Sequence, residues 1–195
     1  MSGQPFSVAV YCGSRNGVRP GYRALALQLG AAIGRRGWQL VYGGGRAGLM
    51  GAVADATLAA GGTVVGVIPE SLMNLEVGHA GLSELHVVQT MHQRKQMMAE
   101  RSRAFIAMPG GIGTFEELFE VWTWRHLAYH DRPIGLLDAE GYWAPMLQFL
   151  RHAVAEGFMG DDQMAMLHSD DHVERLLETL AAQAGDPADD NFSKI

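Results

Sequence analysis

Short apolar runs rich in β-branched residues alternate along this chain with longer segments in which apolar residues recur every three or four positions. The short runs are typical of buried strands, and the longer segments are typical of helices with one buried face. Glycine or proline follows most of the runs and marks where each one ends. The predicted strands span 6–12, 38–42, 63–68, 85–88, 104–108 and 134–137. The predicted helices span 19–36, 49–60, 90–101, 114–128, 142–156 and 171–183, and 70–83 is predicted to be mainly loop.

This alternation predicts an α/β fold with a doubly wound, mostly parallel sheet and helices on both faces, because parallel strands need crossover connections. In such sheets ligands bind outside the carboxyl ends of the strands. Glycine-rich turns at Gly13, 43–45 and 110–113 each follow a predicted strand. We therefore expect these turns to meet at one rim of the sheet and to form the functional site there.

Length and composition set the limits of this interpretation. The 195 residues, 48% of them apolar, predict one domain over 1–184 with a polar tail at 185–195, and they exclude a disordered chain. No apolar run is long enough to span a membrane, and residues 1–5 do not resemble a signal peptide. A single cysteine, Cys12, fits the reducing cytoplasm. The net charge of -6 argues against a nucleic-acid partner, and the histidine spacing indicates no metal site.

The segment from Pro109 to Thr114 joins a buried strand to the start of a helix and contains three glycines. Glycines let the backbone approach a ligand closely, and the free N–H groups at a helix N-terminus favour an anion. The Thr114 hydroxyl adds one more donor. We interpret this turn as a phosphate or carboxylate site, since a simple tight turn needs fewer glycines.

Glu117 stands three residues after Thr114, which is the spacing of a capping box. It is therefore either a helix cap without a chemical role or a carboxylate that faces the anion site. Spacing alone does not separate these two interpretations. Glu116 and Glu120 lie on another line of the same helix, where we expect a solvated face.

Arg94 and Lys95 lie in the first turn of a helix for which Thr90 and Gln93 predict a capping box. Positive charge is unfavourable there unless an anion compensates it, so the pair is either an anion-binding element or a solvated surface pair. Residues 43–48 match G-x-G-x-x-G, yet the acidic residue expected about 20 positions later is missing at the end of the next strand. We prefer a second phosphate- or ribose-facing glycine turn to a nicotinamide site.

Taken together, four strings resemble the LOG (lonely guy) family of cytokinin-activating phosphoribohydrolases. The similarity covers roughly residues 6–182 and continues through Thr123-Trp124 and Gly141-Tyr142-Trp143. The matching strings are Cys12-Gly13-Ser14, Tyr42-Gly43-Gly44-Gly45 with Gly48-Leu49-Met50-Gly51, Met91-His92-Gln93-Arg94-Lys95, and Pro109-Gly110-Gly111-Ile112-Gly113-Thr114-Phe115-Glu116-Glu117.

The resemblance implies a Rossmann-like homodimer, without a cofactor, that hydrolyses the N-glycosidic bond of a nucleoside 5′-monophosphate. The products are a free base, typically an N6-prenylated adenine, and ribose 5-phosphate. Arg94 and Glu117 match the family's catalytic pair. The remaining matches imply a substrate and phosphate site made of Gly13, Ser14, Gly44, Gly45, Glu76, Lys95, Gly110, Gly111, Ile112, Gly113, Thr114, Phe115, Glu116 and Thr123.

Three functions remain open at this point. The first is the cytokinin-type hydrolase, and the second is a general AMP or purine nucleotide nucleosidase with the same catalytic residues. The third is a non-enzymatic carrier of a phosphorylated cofactor such as molybdopterin, which does not need Arg94 and Glu117 together. Many relatives are labelled lysine decarboxylases, but a pyridoxal enzyme needs a Schiff-base lysine, and the chain offers only Lys95 and Lys194. Ile112 and Arg15 depart from the usual family residues, which concerns base selectivity first.

Overall fold

The computed structural model describes residues 5–73, 78–185, 190 and 192. The strands are β1 (Ser7–Tyr11), β2 (Gln39–Tyr42), β3 (Thr63–Pro69), β4 (Glu84–Val88), β5 (Ala104–Ala107), β6 (Ile134–Leu137) and β7 (Leu167–Asp170). The helices are α1 (Pro20–Arg35), α2 (Gly48–Ala59), α3 (Glu70–Met73), α4 (Met91–Glu100), α5 (Ile112–His126), α6 (Ala144–Ala155), α7 (Asp161–Met164) and α8 (Val173–Gln183).

The strands form one sheet in the order β4-β3-β2-β1-β5-β6-β7, and every neighbouring pair is parallel. The predicted α/β, Rossmann-like fold class is thereby confirmed. From β1 the chain builds outward to β4 and then crosses to β5 on the other side of β1. The strand order therefore reverses between β1 and β5, and ligand sites of open α/β sheets occur at such a point.

Two apolar cores cover the two faces of the sheet, because side chains alternate along each strand. Val8 and Val10 of β1 face the core formed with α1, α2 and α8. Ala9 and Tyr11 face the opposite core, to which α4, α5 and α6 contribute. Since β1 is buried on both faces, its continuous apolar run follows from its central position.

The seventh strand was not predicted from the sequence. β7 consists of Leu167-His168-Ser169-Asp170, lies at the sheet edge and pairs with β6. An edge strand exposes more of its surface than a central one, so most of its residues can be polar, as three of the four are here. The apolar pattern that marks buried strands is therefore missing.

Two residues of the C-terminal segment pack against this domain. The Asp190 carboxylate lies 2.5 Å from an Arg132 nitrogen, and both side chains are almost completely buried. The Phe192 ring stacks on His130 and lies under the Arg132 guanidinium. In the described part of the chain, no helix is long and apolar enough to cross a membrane.

Candidate functional site

A cavity of about 540 Å³ opens at the carboxyl ends of β1, β2 and β5, where the strand order reverses. Its walls come from the β1–α1 loop, the first turns of α2, α4 and α5, and the β6–α6 loop. Ten of the residues expected in the site line it: Gly13, Ser14, Arg94, Gly110, Gly111, Ile112, Gly113, Thr114, Glu116 and Glu117. Sequence reasoning did not assign several further lining residues to the site, namely Arg15, Asn16, Tyr22, Met91 and Tyr142.

Backbone hydrogen bonds hold the loops of the cavity together. The Gly13 N–H donates to the Pro109 carbonyl at 3.0 Å, and the Leu49 N–H donates to the Gly13 carbonyl at 3.0 Å. Gly48 has a φ of +62°, and a Cβ there would lie 2.4 Å from the Arg15 nitrogen. A glycine is therefore needed at this position, both for its conformation and for the close approach of the two loops.

Helix α5 begins earlier than the sequence predicted. Its N-cap is Gly111, in an extended conformation, and the Phe115 N–H makes the first helical bond, to the Gly111 carbonyl. Of the two interpretations of Glu117, the capping box with Thr114 is therefore wrong, since Thr114 already lies within the first turn. The N–H groups of the three residues before Phe115 have no partner within the helix, as at any helix start. All three of these residues line the cavity.

The glycines of this loop differ in what the fold requires of them. A Cβ on Gly110 would lie 2.1 Å from the Thr114 hydroxyl oxygen, so packing demands glycine at this position. A Cβ on Gly111 or Gly113 would meet no atom within 4 Å, and neither residue has a positive φ. The fold itself gives no reason for glycine at these two positions. Close approach of a ligand to the backbone does give one.

Glu117 lies in the second turn of α5, is half-buried and lines the cavity. It is too far along the helix to cap its N-terminus. At the end of β1, burial and, to a smaller extent, the negative charge of Glu117 raise the pKa of the Cys12 thiol. Cys12 is buried at the strand end, as expected, and stays protonated near neutral pH.

Arg94 is buried, at 6% exposure, although it carries a charge. Its guanidinium donates to the Gly43 carbonyl at 3.0 Å, and a Cβ on Gly43 would lie 2.0 Å from the same nitrogen. The predicted capping box of α4 is confirmed, because Thr90 and Gln93 exchange hydrogen bonds at 3.1 and 3.2 Å. The cap fixes the first turn of α4, from which Arg94 reaches the cavity.

Lys95 connects α4 to α5 through two ion pairs. Its ammonium lies 2.5 Å from a carboxylate oxygen of Glu116 and 2.9 Å from one of Glu120. Glu116 is exposed, as expected for a solvated face, whereas Glu120 is mostly buried, and both glutamates pair with Lys95. Partial burial lowers the pKa of Lys95, but the hydrogen bonds to Glu116 and Glu120 outweigh it and raise the pKa above its usual range.

Four of the other expected site residues, Gly44, Gly45, Phe115 and Thr123, lie away from the cavity lining. Gly44 and Gly45 pack towards β3 and the segment at Gly78, through a hydrogen bond from the His79 N–H and an isolated bridge. Phe115 packs edge-on against a tryptophan ring, and the Thr123 hydroxyl donates to a carbonyl of its own helix at 2.7 Å. Glu76 lies outside the described residues.

Comparison with known proteins gives both family and fold. A family model described as "possible lysine decarboxylase" matches residues 50–180. A cytokinin riboside 5′-monophosphate phosphoribohydrolase of Rhodococcoides fascians is 54% identical over 156 residues, which are 80% of this chain and 79% of that protein. An Arabidopsis thaliana protein of the same name, with the suffix LOG1, is 44% identical over 173 residues, 89% of this chain and 81% of that protein.

Solved structures of more distant proteins share the fold. The molybdenum cofactor binding protein of Rippkaea orientalis superposes with a TM-score of 0.69 at 19% identity, over 93% of this chain and 98% of that one. The molybdenum cofactor carrier protein of Chlamydomonas reinhardtii gives 0.69 at 20% identity, over 92% and 99%. At this identity the likeness concerns the fold alone. The sequence matches go further: the chain belongs to the LOG family, which the model for possible lysine decarboxylases also covers.

Proposed function

We propose that this protein hydrolyses the N-glycosidic bond of N6-prenylated adenosine 5′-monophosphate and releases the free base, a cytokinin, and ribose 5-phosphate. Relatives that are 44–54% identical over most of the chain bear the name of this activity. The observation that carries the proposal is a single cavity that brings together a carboxylate, a buried arginine and a glycine-rich helix N-terminus. These are Glu117, Arg94 and the loop Gly110–Thr114.

The 5′-phosphate is assigned to the N-terminus of α5. Backbone N–H groups and the helix dipole both favour a dianion there. Gly111 and Gly113 leave open space on the side where a Cβ would stand, so a phosphate can reach the backbone. The Thr114 side chain is buried at the cavity wall, and its hydroxyl can serve as a further donor.

Glu117 is assigned to the reacting carbon. When the bond between C1′ and the base nitrogen breaks, the electron pair leaves with the base and positive charge develops on the ribose. A carboxylate beside C1′ stabilises this charge and can accept a proton from the attacking water. The hydroxyl of that water ends on C1′, and its proton is passed on to the departing base. Water and nucleotide thus account for every atom of base and ribose 5-phosphate.

Arg94 is assigned to charge stabilisation rather than to proton transfer. An arginine stays protonated at any pH at which proteins are folded, so it cannot act as a simple general acid. Its hydrogen bond to the Gly43 carbonyl fixes the guanidinium at the cavity wall. From there it can hold the phosphate or the base and compensate negative charge as the bond breaks.

The residues do not fit pyridoxal phosphate, the cofactor that the description of the family model implies. A Schiff-base lysine must lose its proton to react with the aldehyde. Lys95 is instead held protonated by two carboxylates on α5. Lys194 lies outside the described residues. We derive no decarboxylase chemistry from this site.

We propose further that the protein is a homodimer whose subunits meet along α5. Ile112 and Phe119 lie on one line of this helix and are exposed at 87% and 37%, and Ile112 lines the cavity. Thr123 continues the same line, about 14 Å from Thr114 at 1.5 Å per residue. A second copy would cover this face and bring its own Thr123 towards the neighbouring cavity. Light scattering would give twice the subunit mass for the wild type and the subunit mass for Phe119→Glu.

We also retain the proposals of a single domain, a cytoplasmic location and no nucleic-acid partner. The single cysteine, Cys12, is buried, and the net charge is -6. A single buried cysteine fits a reducing compartment, and a negative net charge opposes binding to a polyanion.

The test is to incubate the purified protein with isopentenyladenosine 5′-monophosphate, with AMP and with the nucleoside that lacks the phosphate. We expect equal amounts of base and ribose 5-phosphate from the prenylated nucleotide, and little reaction of the nucleoside. Equal kcat/KM values for both nucleotides would indicate a general purine nucleotide nucleosidase. If neither nucleotide reacts, the proposed hydrolase activity is refuted, and a carrier of a phosphorylated cofactor is favoured.

A further inference from the structure

Tyr142 is a residue of the cavity wall to which the proposed mechanism gives no role. Its hydroxyl donates a hydrogen bond to the Gly110 carbonyl, 32 residues away in sequence. Its ring is held edge-on by Tyr22, at 5.8 Å between ring centroids, and by Trp143, at 5.0 Å. Since the two neighbours restrict the ring, the hydroxyl has a fixed position relative to the loop.

The carbonyl that Tyr142 binds belongs to the first peptide unit of residues 110–114, the loop to which the 5′-phosphate is assigned. The Gly110 carbonyl and the Gly111 N–H lie in one planar group, so fixing the first also fixes the direction of the second. Glycine has more backbone freedom than any other residue, and a loop with three glycines loses much entropy when it binds a ligand. A hydrogen bond that orders the loop beforehand reduces this cost.

The turn that carries Tyr142 is itself tightly constrained. Glu140 has a φ of 54°, a left-handed conformation that is unfavourable for a residue with a Cβ. Its carboxylate lies 3.2 Å from a guanidinium nitrogen of Arg19, the residue at which α1 is capped. The Asp138 carboxylate accepts a hydrogen bond from the Trp143 N–H at 2.9 Å. Such a conformation persists only where neighbouring contacts enforce it, and these contacts lie on both sides of Tyr142.

We propose that Tyr142 is a positioning residue, whose hydroxyl orders the Gly110–Gly111 peptide so that the loop is ready to bind the 5′-phosphate. The inference rests on the proposed function for the identity of this anion. It assigns Tyr142 no contact with the reacting bond. Its loss therefore affects the binding of phosphate-bearing molecules and leaves the chemical step unchanged.

The test compares Tyr142→Phe, which removes only the hydroxyl, with Tyr129→Phe as a matched control. Tyr129 is partly buried in the core and does not line the cavity. For Tyr142→Phe we expect KM for isopentenyladenosine 5′-monophosphate to rise about five- to tenfold, the effect of one hydrogen bond, with kcat within twofold of wild type. Inhibition by ribose 5-phosphate should weaken by the same factor. Tyr129→Phe should change neither quantity.

Two kinetic outcomes would overturn the proposal. Unchanged KM and unchanged inhibition in Tyr142→Phe would reduce the tyrosine to a packing role. A fall in kcat at constant KM would place its hydroxyl at the reacting bond instead. Calorimetric titration with ribose 5-phosphate keeps the test independent of turnover: weaker binding to Tyr142→Phe than to wild type supports the proposal even if no nucleotide is hydrolysed. Equal binding, or no binding to either protein, refutes it.

Discussion

Replacing Gly113 by alanine separates the needs of the fold from the needs of a ligand. Gly113 is the second residue of α5, it is exposed, and a Cβ there would meet no atom within 4 Å. Alanine forms helices better than glycine by up to about 1 kcal/mol, so Gly113→Ala should stabilise the protein by about 0.5 kcal/mol. In a chain of this size the melting temperature should rise by about 1–2 °C.

The same substitution should impair activity. A methyl group at Gly113 occupies the space through which a phosphate would reach the N–H groups of the first helical turn. Loss of one hydrogen bond to a charged group raises KM for the nucleotide about 10- to 100-fold. Inhibition by ribose 5-phosphate should weaken in parallel. A change that stabilises the protein and weakens binding cannot be explained by damage to the fold.

Gly110→Ala is the matched control, since it lies three residues away in the same loop. Here the new Cβ would lie 2.1 Å from the Thr114 hydroxyl oxygen, and the resulting overpacking should cost about 1–3 kcal/mol. Both variants are compared by thermal unfolding and by steady-state kinetics. If Gly113→Ala is more stable and has wild-type KM and inhibition constants, the loop does not bind the phosphate, and the assignment is refuted.

Three further predictions concern other parts of the molecule. The pKa of His130 is lowered to about 4, mainly by burial. Between pH 6.5 and 4 the native state therefore binds fewer protons than the unfolded state, and the free energy of unfolding should fall by about 3 kcal/mol as the pH is lowered over this range. Urea unfolding of His130→Gln over this range should show a flatter dependence, and an equal slope would contradict the argument. Thr114→Val should raise KM for the monophosphate in a protein of normal stability, whereas unchanged KM would remove the hydroxyl from the site. Wild-type protein given pyridoxal phosphate and lysine should release no carbon dioxide, because Lys95 is held protonated, and release would restore the decarboxylase activity.

The central part of the fold could be predicted because buried parallel strands require continuous apolar runs. β1 and β5 are buried at every position, and each matches a predicted strand. β7 escaped prediction because an edge strand need not be apolar, and three of the four residues of Leu167–Asp170 are polar. The position of the glycine turns followed from the strands, since parallel strands bring their carboxyl ends to one rim.

The start of α5 shows where sequence rules compete. Threonine and glycine occur about equally often as N-caps, but only threonine offers a side-chain oxygen to a backbone N–H, and this favoured a helix start at Thr114. In the structure Thr114 packs against Gly110 and the cavity wall, so Gly111 becomes the N-cap. Only this packing decides that Glu117 lies beyond the cap. The Tyr142 contact could not be predicted either, because it joins residues far apart in sequence through the packing of three aromatic rings.

Glu117→Gln addresses the central claim most directly, since glutamine keeps the size and hydrogen bonding of the side chain and removes its charge. Glu117 does not cap α5, so the melting temperature should stay close to that of wild type. Glu156→Gln, at the end of α6 and away from the cavity lining, serves as the control for loss of one surface carboxylate.

The decisive quantity is the turnover number of Glu117→Gln with isopentenyladenosine 5′-monophosphate, measured by release of ribose 5-phosphate. If the carboxylate stabilises the developing ribose cation and activates water, kcat should fall about 100-fold or more, on the scale of general acid–base effects. Glu156→Gln should keep wild-type kcat. A folded Glu117→Gln protein with near-wild-type turnover would contradict the proposed mechanism.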